Sequence, residues 1–246
     1  MYLYIYDSCL KGKKYKNLIN KIENKIIDLD IKGKDLRLNL LKNISDFIDR
    51  EIKQGAHTVV IIGDDNTFSQ ALNNIISKDI VVGFIPTNNK SVFAQIFGIP
   101  YGDLACDVLS GRIIKKIDIG KINQKYFLHS VQIENANDVI IKIDNFEIKA
   151  AADNKIIIKN FDQEGLIGNH ISNPTDGILE MYIEKPGKLF TKTSQHSLFA
   201  TKEINISSKN DSVPLLLDNY QKINTPAKIS VIKEKLQMIV GTNRQF

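Results

Sequence analysis

Tryptophan is absent from this chain, cysteine occurs only twice and histidine four times. Cys9 and Cys106 form no motif, so a disulfide framework is excluded and both read as free intracellular thiols. His57, His129, His170 and His196 are scattered without metal-ligand spacing, which argues against a zinc site. No apolar run approaches the roughly twenty residues of a membrane span. The opening Met1-Tyr2-Leu3-Tyr4-Ile5-Tyr6 runs straight into Asp7, without the basic and apolar regions of a signal peptide, and a cytoplasmic location is expected. Internal repeats and low-complexity linkers are missing too.

What remains is an ordinary globular composition, 43% hydrophobic and 25% charged, and 246 residues can form one large domain or two modest ones. The net charge of +5 suits a nucleotide or peripheral contact with an anionic membrane surface. The densest basic cluster, Lys11, Lys13, Lys14 and Lys16, is interleaved by Tyr15 alone, which is too little for nucleic acid. For assembly a homodimer is the default.

The chain's most informative stretch is Thr58-Val59-Val60-Ile61-Ile62-Gly63-Asp64-Asp65-Asn66-Thr67. Its apolar run predicts a strand buried on both faces, ended by Gly63. Thr67 is the expected cap of a helix whose Phe68, Ala71, Leu72, Ile75 and Ile76 share one side. A strand running through a polar turn into a helix N-terminus is where α/β proteins hold anions, because unpaired N–H groups point outward there. Before it, residues 2–6 predict a strand, Lys14 to Asn24 a helix with Leu18, Ile19 and Ile22 inward, and Ile26–Asp30 a second strand. Leu36–Lys53 predicts a long helix with Leu40, Leu41, Ile44, Phe47, Ile48 and Ile52 in one stripe, stopped by Gly55. After it, residues 80–86 predict a fourth strand and Ala105–Leu109 a short helix.

Such alternation over residues 1–110 implies a doubly wound parallel sheet, with ligands at the carboxyl ends of its strands. The 63–67 and 86–91 loops then share one mouth. From residue 113 the pattern is strands: 113–122, 126–134, 138–143, 146–151, 155–160, 178–183 and 202–207, with a closing strand at 237–240. Many strands without a strong helix suggest a β-sandwich. The expected organisation is an α/β domain over 1–111 and a β-sandwich domain over 112–246, whose last strand returns to the first domain.

Gly63-Asp64-Asp65-Asn66-Thr67 resembles the G-G-D-G-T motif of the diacylglycerol kinase family, which shares its fold with the NAD kinases. Pro86, Phe93, Ala94, Gly98, Ile99 and Pro100 match a second signature, P-x-G-T-x-N-D-F-A-R-x-L-G-I-P. Asp118-Ile119-Gly120 with Tyr126-Phe127, and Asn173-Pro174-Thr175-Asp176-Gly177-Ile178-Leu179, match later segments in order. Asp218, followed by Thr225-Pro226, matches the last. The resemblance implies ATP- and magnesium-dependent phosphorylation of a lipid hydroxyl. Gly63, Asp64, Asp65, Asn66, Thr67, Asn88 and Asn89 would surround the phosphates, Asp176 would be the catalytic base and Asp218 a metal carboxylate. Asp176-Gly177 also reads as a plain turn.

The departures are chemical. Asn66 and Asn88 replace glycines and can adopt left-handed backbone. Gln70, Val92 and Tyr220 replace acidic residues. Asp64 puts a carboxylate where a phosphate would meet the backbone: two like charges about 4 Å apart repel by about 4 kcal/mol at an effective dielectric near 20, close to a thousandfold in affinity. A bound magnesium would reverse that sign. Two alternatives therefore stay open: an inactive homologue that binds a lipid, a nucleotide or a partner, and an NAD-kinase-like enzyme.

Overall fold

The structure, a computed structural model, describes residues 1–37, 44–151, 153–161, 173–185 and 195–246. It divides into two units, Met1–Ile117 with Leu236–Phe246, and Asp118–Lys235.

The first unit alternates strand and helix: β1 Tyr2–Tyr6, α1 Lys16–Asp28, β2 Gly33–Arg37, α2 Ile44–Lys53, β3 Thr58–Gly63, α3 Asp65–Ile75, β4 Val81–Pro86, α4 Val92–Phe97 and α5 Ala105–Gly111. Its sheet runs β2-β1-β3-β4 with every neighbour parallel, and residues 237–238 of a late strand add beside β4, also in parallel. All six residues of β3 are buried. This follows from helices covering both faces of a parallel sheet, which is why its sequence is a continuous apolar run. Phe68 packs edge-on against Phe84 and Phe93 at 5.0 and 5.5 Å.

Several expectations shift here. Ile26–Asp30 is not the second strand: α1 continues to Asp28, because Ile26 extends the stripe of Ile19 and Ile22, while Ile27 points outward, 55% exposed. The second strand is the polar Gly33–Arg37, an edge strand in which only Leu36 is buried. Leu36 thus lies in β2, and α2 begins at Ile44; Leu40 and Leu41 fall outside the described residues. The cap of α3 is Asp64, not Thr67, since the Asp64 carboxylate reaches the Thr67 N–H from one turn earlier. The twenty residues Val92–Gly111 are apolar enough for a membrane span by composition, half of them buried. Gly98, at φ +65°, breaks them into α4 and α5, and a Cβ there would strike the backbone of Asn243 and Arg244.

From Ile114 on the chain is built of strands, of which β5 begins and β16 ends in the first unit: β5 Ile114–Ile122, β6 Lys125–Phe127, β7 Ser130–Ile133, β8 Val139–Ile143, β9 Phe146–Lys149, β10 Lys155–Lys159, β11 Leu179–Lys185, β12 Gln195–Thr201, β13 Glu203–Ser208, β14 Pro214–Leu217, β15 Gln221–Asn224 and β16 Ala227–Ile239. One antiparallel sheet runs β12-β11-β10-β7-β14-β15, and a second set runs β16-β13-β8-β9. Ile156, Ile158 and Met181 of the first pack with Ile141, Ile204 and Ile229 of the second in one core. Alternate residues of facing sheets meeting in this way make a β-sandwich. The expected 126–134 strand is broken at Leu128–His129, and the closing strand is the tail of β16, whose residues 237–238 are those beside β4.

Candidate functional site

At the carboxyl ends of β1, β3 and β4 the first unit carries a polar hollow of about 390 Å³, lined among the described residues by Cys9, Tyr15, Asp64, Thr87, Asn88, Asn89 and Tyr101. That volume is within the range of small-molecule sites. Gly63 leaves β3 with Thr67 so close that a Cβ would lie 2.8 Å from the Thr67 Cβ, so glycine lets the turn fold back on its helix. Asp64 then caps α3: its Oδ1 accepts the Thr67 N–H at 2.9 Å and lies 3.0 Å from the Thr67 hydroxyl. The same hydroxyl donates to Asp7 at the end of β1. Asp7 also accepts from the Cys9 N–H at 2.8 Å and from Ser8. Burial pushes the Asp7 carboxyl up, but hydrogen bonds from Thr67, Cys9 and Ser8 outweigh it and hold the group below the usual range. The Cys9 thiol is pushed up by burial and by Asp7, so it is no activated nucleophile.

Asp65 turns away from this hollow. Its carboxylate is 6% exposed and accepts from the Ser91 hydroxyl and, at 2.8 Å, from the Val92 N–H. Ser91 in turn caps α4 through the Ala94 N–H at 3.0 Å. Asp65 therefore clamps the start of α3 to the start of α4. Burial raises its pKa, against the bonds from Ser91 and Val92. Asn66 sits inside α3 and accepts from Gln70 at 2.8 Å, and Asn88 accepts the Lys90 N–H at 2.9 Å. Neither asparagine has the left-handed backbone that a glycine replacement suggests.

The remaining sequence-derived residues lie in the second unit. Asp176 is exposed in the turn before β11, where it accepts the Ile178 N–H at 2.9 Å. Burial raises its pKa, the Ile178 N–H lowers it, and Asp118 and Lys233 pull in opposite directions. Asp218, 2% exposed, accepts from three backbone N–H groups, Leu128 at 2.9, His129 at 2.8 and Ser130 at 3.0 Å. These bonds engage both oxygens and brace the β14–β15 turn against the loop before β7. Among the described residues no three His, Cys, Asp or Glu converge for a metal; magnesium, implied by the resemblance, is held in phosphate sites by one or two carboxylates together with the phosphates.

Sequence reasoning missed what lies between these two loops. Asp118, 1% exposed, accepts the N–H of Gly177 at 2.6 Å and of Glu234 at 2.7 Å. The Asn160 amide donates to the carbonyls of Asp118 and Leu128 at 2.8 and 3.1 Å. One chain of hydrogen bonds thus runs from the Asp176 turn to the Asp218 turn. The Asp118-x-Gly120 pattern marked the segment, but no local signal assigned it this task.

A parallel α/β unit with a carboxylate-capped turn, followed by a β-sandwich unit, is an architecture that the chain shares with solved structures described as diacylglycerol kinases. The fold is that of a crystallographic diacylglycerol kinase from Bacillus anthracis str. Sterne, at TM-score 0.79 and 18% identity over 98% of this chain and 97% of that one. In sequence the chain is 31% identical to the diacylglycerol kinase of Bacillus subtilis (strain 168) over 75 residues, 29% of this chain and 25% of that enzyme. It is 22% identical to a provisionally assigned lipid kinase of Streptococcus pneumoniae serotype 4, over 92% of this chain and 93% of that one. No family model matches the chain.

Proposed function

We propose that this lipid-kinase-like chain binds a hydroxyl-bearing lipid without transferring phosphate to it. The observation that carries the reading is the Asp64 carboxylate at the N-terminus of α3, where it already occupies the Thr67 N–H. A helix start attracts phosphate through its free N–H groups and its dipole. Here the chain's own anion fills that place and Asp7 adds a second. Asp65 and Asp218 are consumed by backbone and hydroxyl donors, which suits bracing rather than chemistry. Asp176 is the exposed carboxylate of the set and is left to accept a ligand hydroxyl.

The test pairs two measurements on the full chain. Calorimetry with magnesium-ATP is expected to show no binding at millimolar nucleotide, while diacylglycerol-containing vesicles retain the protein on flotation. Tight nucleotide binding, or vesicles that retain nothing, overturns the reading. A second reading, an active lipid kinase, is favoured by the same Asp176, since an exposed carboxylate with a raised pKa suits a general base.

A further inference from the structure

β9 is the end strand of its sheet: among the described residues it pairs with β8 on one side and with no strand on the other. An uncovered strand edge offers its free N–H and C=O groups to another strand, and chains usually guard it with charge, proline or a bulge. Here the edge carries Phe146, 72% exposed, the most exposed large apolar side chain among the described residues. Side chains alternate between faces along a strand. Ile148 and Ala150 rest against the sandwich core, so Phe146 shares their face. Glu147 and Lys149 occupy the other face, exposed and 3.3 Å apart.

This order of residues is self-complementary. Two copies related by a two-fold axis can join β9 to β9 antiparallel only with like faces together, so one residue lies on the axis opposite itself. With Glu147 or Lys149 on the axis, equal charges meet. With Phe146 there, the pairing runs out into the turn at Asp144 and Asn145. With Ile148 there, Glu147 of each copy faces Lys149 of the other, and Phe146 of each covers Ala150 of the other. Charge and apolar contact thus select the same register.

We propose that β9 is the edge through which this chain pairs with a second copy of itself, antiparallel about Ile148, with each Glu147 against the partner's Lys149. The contact is short, so the dimer is reversible. It involves neither Asp64 nor Asp176 and stands apart from the ligand reading. Sedimentation of the full chain is expected to give a weight-average mass that rises from one chain toward two with concentration. Glu147→Lys and Lys149→Glu each turn two attractive cross-strand pairs into two repulsive ones, and each should weaken association by about tenfold. The two single variants mixed in equal amounts restore it, because each supplies the charge that the other lost. The double exchange in one chain restores it as well. Both positions are exposed, so melting temperatures stay at the wild-type value. A single-chain mass at every concentration overturns the proposal. So do single variants that associate as the wild type does, or a mixture that associates no better than its components.

Discussion

Replacing Asp64 by asparagine separates its two roles. Asparagine caps a helix about as well as aspartate, so the Thr67 N–H keeps its acceptor and stability should change by less than about 0.5 kcal/mol. The negative charge alone is removed. A phosphate about 4 Å from that charge would be repelled by about 4 kcal/mol at an effective dielectric near 20. Asp64 is only partly buried, and physiological salt screens beyond about 8 Å, so the recoverable part is about 1.5–3 kcal/mol. That corresponds to roughly ten- to hundredfold in affinity. Pyrophosphate titrated by calorimetry into the wild type and Asp64→Asn gives the comparison, with thermal melts as the control on folding. Equal affinities in both proteins, with equal melting, would refute the electrostatic argument.

Other consequences follow from the braces. Asp218→Ala strands the buried Leu128 and Ser130 N–H groups and the part-buried His129 N–H, and should cost about 3–5 kcal/mol, read by urea unfolding followed in the second unit. Asp65→Ala frees Ser91 and the Val92 N–H and should cost about 2–4 kcal/mol, whatever happens to ligand binding. The folded-state pKa of Asp7 is depressed, so its stabilisation is complete above the ordinary carboxylate range and lost as pH falls through the folded value. The acid limb of a stability-against-pH curve should therefore flatten in Asp7→Asn. Gly98→Ala places a methyl against the backbone of Asn243 and Arg244 at positive φ and should lower stability by about 1–3 kcal/mol, measured by the same unfolding assay.

The sequence was most legible where one physical demand dominated. Thr58–Ile62 had to be a strand because a fully buried parallel strand is apolar on both faces, and Gly63 had to end it. Gly33–Arg37 was hidden for the opposite reason: an edge strand with one buried residue has no apolar pattern, so its neighbour Ile26-Ile27 drew the assignment instead. The short strands β12, β14 and β15 are likewise set by sheet pairing more than by composition. At the site, residue identity singled out the turns around Asp64, Asp176 and Asp218 but not the direction in which each carboxylate faces. Asp65 and Asp218, which the resemblance implies as phosphate-site and metal carboxylates, are held by backbone N–H groups and, for Asp65, by the Ser91 hydroxyl as well, and these contacts leave no trace in the amino-acid string.

The most direct measurement is phosphoryl transfer itself. The purified chain is incubated with γ-labelled ATP, magnesium and diacylglycerol-containing vesicles, and the lipid fraction is counted. A chain whose α3 N-terminus is filled by its own carboxylate should leave the lipid unlabelled. Label appearing in the lipid, and abolished by Asp176→Asn, would contradict the account and restore the kinase.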